Sequence, residues 1–228
     1  MNITERITRV LEAEANAISR VPVGPEFEQA VEALFECTGK VLTTGMGKAG
    51  HIARKFAATL CSTGTPAIYV HPGEAAHGDL GVVGNKDCIV AFSTSGKTRE
   101  VLEMLELGRD LGLETVIGVT SHPDSRLREL SDIVLDMGAV EEPCPIGMTP
   151  SASIAVMLAI SDALALVLLE KRNFSKDDFG RRHHGGYLGG VANSTIGTSP
   201  GLERRIERMD ARRKHSTCGP VFPALQPL

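Results

Sequence analysis

The stretch AFSTSGKTREV, residues 91–101, sets four hydroxyl side chains and a glycine between an apolar run, KDCIVAF, and a segment of helical spacing, VLEMLELGRDLG. A helix start presents N–H groups that have no partner in the helix, together with the positive end of the peptide macrodipole. One hydroxyl is enough to cap it. Ser93, Thr94, Ser95 and Thr98, with Gly96 able to take a turn barred to other residues, exceed that need. The combination suits a bound anion such as phosphate.

A second glycine turn, Gly45-Met46-Gly47-Lys48-Ala49-Gly50, satisfies the G-x-G-x-x-G pattern after a strand. A dinucleotide site further needs an acid at the end of the next strand, about 20 residues on, for the ribose hydroxyls. Here that strand, PAIYV, is followed by His71, and the nearest carboxylate, Glu74, lies beyond a Pro-Gly turn. Lys48 inside the turn points to a smaller anion, and the glycines also allow a strand and a helix to pack closely.

These motifs need elements to position them. Two helical segments, about residues 3–20 and 25–38, open the chain, separated by the breaker VPVGP. Short apolar strands then alternate with amphipathic helices: KVLTT, KAGHIARKFAATLCSTG, PAIYV, a loop HPGEAAHGDLGVVG, DCIVAF, TREVLEMLELGRDLG, ETVIGVT, DSRLRELS and DIVLDM. A long loop, GAVEEPCPIGMTP, leads to a helix opening at Pro150 or Ser151 and running to about Arg172. This pattern predicts an α/β fold, a three-layer αβα sandwich on a five-stranded parallel sheet, preceded by two N-terminal helices. In such a sheet ligands bind outside the carboxyl ends of the strands. TGMGKAG, HPGEAAHGD, STSGKT and EEPCP all fall there.

Bulk properties exclude several functions. With 228 residues, 42% hydrophobic and 23% charged, the chain is long enough for one sizeable core. A net charge of −4, no Trp and two Tyr offer neither attraction for phosphate backbones nor platforms for base stacking, so no nucleic-acid partner is expected. Cys37, Cys61, Cys88, Cys144 and Cys218 include no C-x-x-C pair and read as reduced thiols of a cytoplasmic protein, with no metal site. The charged, periodic N-terminus reads as neither signal peptide nor membrane span. The apolar run SIAVMLAISDALALVLLE carries Asp162 at its centre and is expected to be a core helix, not a membrane segment. Residues 193–228 hold six Lys or Arg against three acids and read as a basic, flexible tail.

Several of these motifs, taken in order, resemble the arabinose-5-phosphate isomerases of the sugar isomerase (SIS) domain family. The resemblance rests on STSGKT, GMGKAGHIARKFAATLCSTGTPA, HPGEAAHGDLG, EEPCPIGMTPSAS and SDALALVLLEKRNFSKDDFGRRHHGGYLG, and it covers about residues 38–190. It implies a flavodoxin-like SIS fold, with residues 1–38 as helices packing on the core or on a partner subunit, 39–192 as the isomerase domain and 193–228 as the tail. It also implies an aldose–ketose isomerase that interconverts D-ribulose 5-phosphate and D-arabinose 5-phosphate through a cis-enediolate, feeding Kdo and lipopolysaccharide synthesis, with no cofactor. Longer family members append regulatory CBS modules, and a single-domain form without them is the expectation here.

By the same resemblance Ser93, Thr94, Ser95, Gly96 and Thr98 bind the substrate phosphate, and Gly47, His71 and Glu74 contact the substrate. Lys48, His77, Glu100, Glu142 and His183 fall on catalytic positions. Lys48 would bind phosphate or stabilise an oxyanion, and His77 would carry a proton between sugar oxygens or else fix its loop. Glu142 is the expected carbon base, strengthened by burial in a closed site. Glu100 suits the first turn of its helix as well as it suits catalysis. His183 is expected to enter the site from a neighbouring subunit, in a homotetramer built as a dimer of dimers, and His184 is its rival.

Two departures stand out. The family usually has His-Pro-Gly-Gly where this chain has His183-His184-Gly185-Gly186, and Glu where it has Lys97. The alternatives are an isomerase of a hexulose 6-phosphate, such as a 6-phospho-3-hexuloisomerase, and a non-catalytic sugar-phosphate-binding regulator. The first 38 residues lack the basic recognition surface that a DNA-binding regulator needs.

Overall fold

Alternate residues of a β-strand point to opposite faces, and in the central strands of this chain both faces are apolar. Such strands must be covered on both sides. The computed structural model describes residues 2–183, which divide after Ser175 into two compact units, each taken by itself below. In the first, strands β1 (Val41–Gly45), β2 (Ala67–Tyr69), β3 (Cys88–Phe92), β4 (Thr115–Thr120) and β5 (Ile133–Asp136) form one parallel sheet in the order β2-β1-β3-β4-β5.

The alternation sorts the core into two layers. Val41, Cys88, Val90, Phe92, Ile117, Val119 and Leu135 face helices α2 (Pro25–Glu36), α3 (Gly47–Ser62) and α7 (Ala152–Lys171). Leu42, Ile89, Ala91 and Val116 face the other way, toward α4 (Pro72–Ala75), α5 (Arg99–Asp110) and α6 (Arg126–Leu130). This is the expected three-layer αβα sandwich. The N-terminal helices α1 (Ile3–Ser19) and α2 begin and end close to where the sequence places them.

The apolar run of residues 153–170 is a core helix, as expected. Nine residues of α7, from Ala152 to Leu168, are buried, and the helix lies against α1, α2 and α3. Its Asp162 is satisfied by an ion pair with Lys55 of α3. Two readings differ from what the structure shows. Residues 71–84, read as a loop, contain α4 and a 3-10 turn, Asp79–Val82. The His71 ring caps α4 through the Glu74 N–H at 3.4 Å, and four residues are too few to show periodicity. The second unit opens with a short helix that the sequence reading does not anticipate, α8 (Lys176–Arg182), whose acids Asp177 and Asp178 lie at its start and Arg181 and Arg182 at its end, complementing its dipole.

The topology fixes where a ligand can sit. Strand β1 pairs with both β2 and β3, and the helices that follow β1 and β3 leave on opposite faces. A crevice therefore opens between the carboxyl ends of β1 and β3. The other end of the same pair is closed by Asp87, whose carboxylate accepts from Lys40 Nζ at 2.6 Å, Lys40 N at 2.9 Å and Gly84 N at 2.8 Å. Burial opposes that charge, but these bonds outweigh it and hold the carboxyl below its usual range.

At the crevice, α3 approaches β1 so closely that a Cβ on Gly50 would stand 2.5 Å from the Gly45 carbonyl oxygen. Alanine is the better helix former by about 1 kcal/mol, whereas overpacking against backbone costs about 1–3 kcal/mol. Gly50→Ala is therefore expected to lower the urea midpoint with an unchanged m-value, and an unchanged or higher midpoint would contradict this packing.

Candidate active site

The loop after β3 is held from within and from behind. Ser93, 3% exposed, shares a hydrogen bond of 2.8 Å with the Thr98 hydroxyl and accepts the Gly96 N–H at 3.1 Å. Ser95 Oγ accepts the Lys97 N–H at 3.2 Å. Thr120 Oγ1, at the end of β4, and Ser121 N, just after it, both donate to the Thr94 carbonyl oxygen at 3.1 Å. Gly96 has φ +60°, and a Cβ there would stand 2.3 Å from Ser125 Oγ, so two independent constraints demand glycine. Thr98 is the N-cap residue of α5 but makes no side-chain cap bond. The N–H groups of that first turn are left for another acceptor.

A cavity of about 270 Å³ lies in front of this loop and is lined by Met46, Lys48, Ala49, Phe92, Ser93, Thr94, Ser95, Thr98, Pro150 and Ile154. It joins three segments distant in sequence: the glycine turn after β1, the hydroxyl loop after β3 and the start of α7. Lys48 lies in the first turn of α3, exposed. The helix starts of α3 and α5 thus both meet a cavity that contains a cation and several hydroxyls, an arrangement suited to a phosphate monoester.

Glu142 does not line this cavity but a neighbouring 640 Å³ cleft, and it is tied to the start of α7. Its Oε2 accepts Ser151 N at 2.7 Å and Ala152 N at 2.9 Å, and its Oε1 accepts Ser153 N at 3.2 Å and the Ser153 hydroxyl. The residues it binds lie between Pro150 and Ile154, both of which line the cavity. The carboxylate is half-buried and surrounded by donors that fix its orientation.

The other expected residues take varied positions. Glu100 follows the hydroxyl loop in the first turn of α5, half-buried. Gly47, at φ +57°, opens α3. His71 caps α4, Glu74 lies within α4, and His77 follows it with an exposed side chain. None of Glu100, Gly47, His71, Glu74 and His77 lines the cavity. His183 belongs to the second unit, where its ring stacks on Phe179 with centroids 3.7 Å apart and its Nδ1 lies 2.9 Å from the Phe179 carbonyl oxygen. His184 and the tail at 193–228 lie outside the described residues. Among the described residues no three His, Cys, Asp or Glu side chains gather as metal ligands would.

Sequence reasoning missed Met46, Pro150 and Ile154 in the cavity wall, Thr120 and Ser121 behind the loop, and the serines that hold Glu142. The available signal for the last was Pro-Ser-x-Ser at a helix start, a pattern rich in N-cap donors and acceptors.

Residues 34–167 match the SIS domain. The chain is 44% identical over 167 residues to arabinose 5-phosphate isomerase KdsD of Pseudomonas aeruginosa, covering 73% of this chain and 51% of that relative. It spans about half the length of the curated relatives it matches. Among solved structures, a Bacteroides fragilis protein described as a phosphosugar isomerase involved in capsule formation superposes with a TM-score of 0.79 at 42% identity, covering 82% of this chain and 100% of that one. A protein of Escherichia coli CFT073, solved in complex with arabinose 5-phosphate, gives a TM-score of 0.76 at 39% identity, covering 80% of this chain and 100% of that one.

Cys144, two residues after Glu142, has its thiol held down to about 6 by the Thr149 hydroxyl and by the backbone N–H groups of Thr149, Ile146 and Met148. A thiol below its ordinary range is ionised at neutral pH and reacts as thiolate. Alkylation of Cys144 by iodoacetamide is expected to follow a midpoint near 6. An ordinary midpoint of about 8.5 would show that those hydrogen bonds do not form in solution.

Proposed function

The chain belongs to the SIS domain family, and from that premise we propose that it is an aldose–ketose isomerase interconverting D-ribulose 5-phosphate and D-arabinose 5-phosphate. The observation that carries this reading is one cavity that joins the hydroxyl loop, Lys48 and the start of α7, the same helix start to which Glu142 is bound. Ser95, Thr94, Thr98 and the N–H groups of the first turn of α5 hold the phosphate, leaving the carbonyl end of the sugar toward Glu142.

In the ketose-to-aldose direction Glu142 removes a proton from C1, and the C–H electrons form the C1–C2 double bond of an enediolate as negative charge moves to O2. Lys48 stabilises that charge. His77 delivers a proton to O2 and takes one from O1, and protonated Glu142 returns its proton to C2, which leaves an aldehyde at C1. The ordered donors at α7 keep the carboxylate aimed before substrate arrives, and at least one of these bonds must yield as carbon is approached. The reaction belongs in the cytoplasm, among phosphorylated intermediates of the route to Kdo and lipopolysaccharide, and the free thiols at Cys37, Cys61, Cys88 and Cys144 are consistent with a reducing compartment.

A homo-oligomer with shared sites, a dimer of dimers, completes the proposal. The exposed apolar side chains Ile3, Ile7 and Leu11, spaced along one side of α1, supply a surface for a second copy. His183 of one subunit then serves the site of its neighbour.

With purified full chain, conversion of ribulose 5-phosphate to arabinose 5-phosphate in the presence of chelator is the expected result. A panel that turns over only hexulose 6-phosphates, or nothing, would overturn the substrate assignment. Glu142→Gln is expected to lower kcat by about 10²–10⁴-fold, and full turnover would remove it as the base. Ser95→Ala with Thr98→Val should raise KM about tenfold or more, the worth of hydrogen bonds to a charged group; an unchanged KM would remove the phosphate loop. Mixed oligomers of Glu142→Gln and His183→Asn subunits should regain part of the activity that each variant lacks alone, and no recovery on mixing would show that sites are not shared.

A further inference from the structure

Helix α1 contains no fully buried residue and lies outside the segment that matches the SIS domain, yet it makes two polar contacts with the loop that carries Glu142. The Arg6 guanidinium donates to the Pro143 carbonyl oxygen, directly after Glu142. The Ser151 hydroxyl donates to the Glu14 carboxylate, and the N–H of that same Ser151 donates to Glu142 at 2.7 Å. Arg6 and Glu14 are two helical turns apart, near one face of α1, and both are half-buried. They therefore reach the two ends of the segment 143–151.

Between these ties the segment is fixed to itself, through the hydrogen bonds of the Cys144 thiol with Thr149, Ile146 and Met148. Between its ends, Ile146 and Met148 are 71% and 77% exposed, and its backbone makes a turn bond to itself, from Gly147 N to Cys144 O at 2.9 Å. A loop of this kind moves unless its ends are tied. The ties at both ends come from α1, which also forms one wall of a 640 Å³ cleft lined by Asn16, Arg20, Glu141 and Glu142.

We infer that α1 is a positioning element of the catalytic site, in which Glu14, acting through Ser151, and Arg6, acting through Pro143, hold Glu142 at the start of α7. Neither residue touches substrate. Both act on the base, and a displacement of about 1 Å at a reacting group is enough to cost about 100-fold in rate. The inference rests on the reading of Glu142 as the base, but the positional part of it is measurable without any assay of turnover.

The test uses full-length Glu14→Ala and Glu14→Gln, the second of which keeps a side-chain oxygen to accept the Ser151 hydroxyl. In Glu14→Ala, amide hydrogen exchange of residues 151–153 is expected to rise about tenfold while global exchange and Tm stay near wild type, and Glu14→Gln is expected to restore protection. If the isomerase reading holds, kcat falls about tenfold in Glu14→Ala with KM within about twofold, and Glu14→Gln recovers most of it. Arg6→Met is expected to raise exchange at residues 143–146 in the same way. Unchanged exchange in both Glu14→Ala and Arg6→Met overturns the inference whatever the substrate proves to be. Increased exchange with no isomerase activity in wild type leaves the clamp standing and overturns the functional reading instead.

Discussion

The site depends on one interaction, the Glu142 carboxylate lying across the open N-terminus of α7. Three backbone N–H groups and one hydroxyl converge on two oxygens, which satisfies the helix start and fixes the carboxylate at once. Neither partner would be stable there alone. A helix end with no acceptor leaves its donors unsatisfied, and a half-buried carboxylate without donors is costly to keep charged. Because α7 is apolar along its length and packed against three other helices, its N-terminus is placed by the core, and Glu142 inherits that placement.

The proposed phosphate side is built on the same principle with the roles reversed. At α5 the capping hydroxyl is diverted, since Thr98 bonds to Ser93 and makes no cap, and the helix start faces the cavity. One helix end is thus filled by the chain's own carboxylate and another is left for an anion from outside. One cavity is lined from both helix starts, by Thr98 at α5 and by Pro150 and Ile154 at α7. Meanwhile the amino end of β1 and β3 is closed by Asp87 and Lys40, so that the sheet is tied at one end and open to a cavity at the other.

Legibility in the sequence followed the range of the interactions. The sheet, its helices and the hydroxyl loop could be read because each is written in consecutive residues: Val90 and Phe92 alternate with Ile89 and Ala91, and Ser93 to Thr98 follow directly. Glu142 was visible as a candidate, but its partners were not, because they lie across a loop of proline and glycine whose path has no period. The contacts from Arg6 to Pro143 and from Ser151 to Glu14 each span 137 residues, and no local pattern encodes a meeting at that distance. The residues around α4 were named from resemblance; Glu74 and His77 are exposed, whereas His71 is half-buried and caps the helix.

The central claim, that Glu142 moves a proton at the carbon next to the carbonyl while the β3–α5 loop holds the phosphate, is tested most directly by isotope incorporation. Ribulose 5-phosphate is incubated with wild type and with Glu142→Gln in D₂O, at protein concentrations at which both bind the sugar phosphate, and the sugars are examined by NMR. The account predicts deuterium at C2 of the arabinose 5-phosphate formed by wild type, and neither product nor exchange at C1 of the ketose with the variant. Deuterium incorporation by Glu142→Gln at the wild-type rate would contradict it.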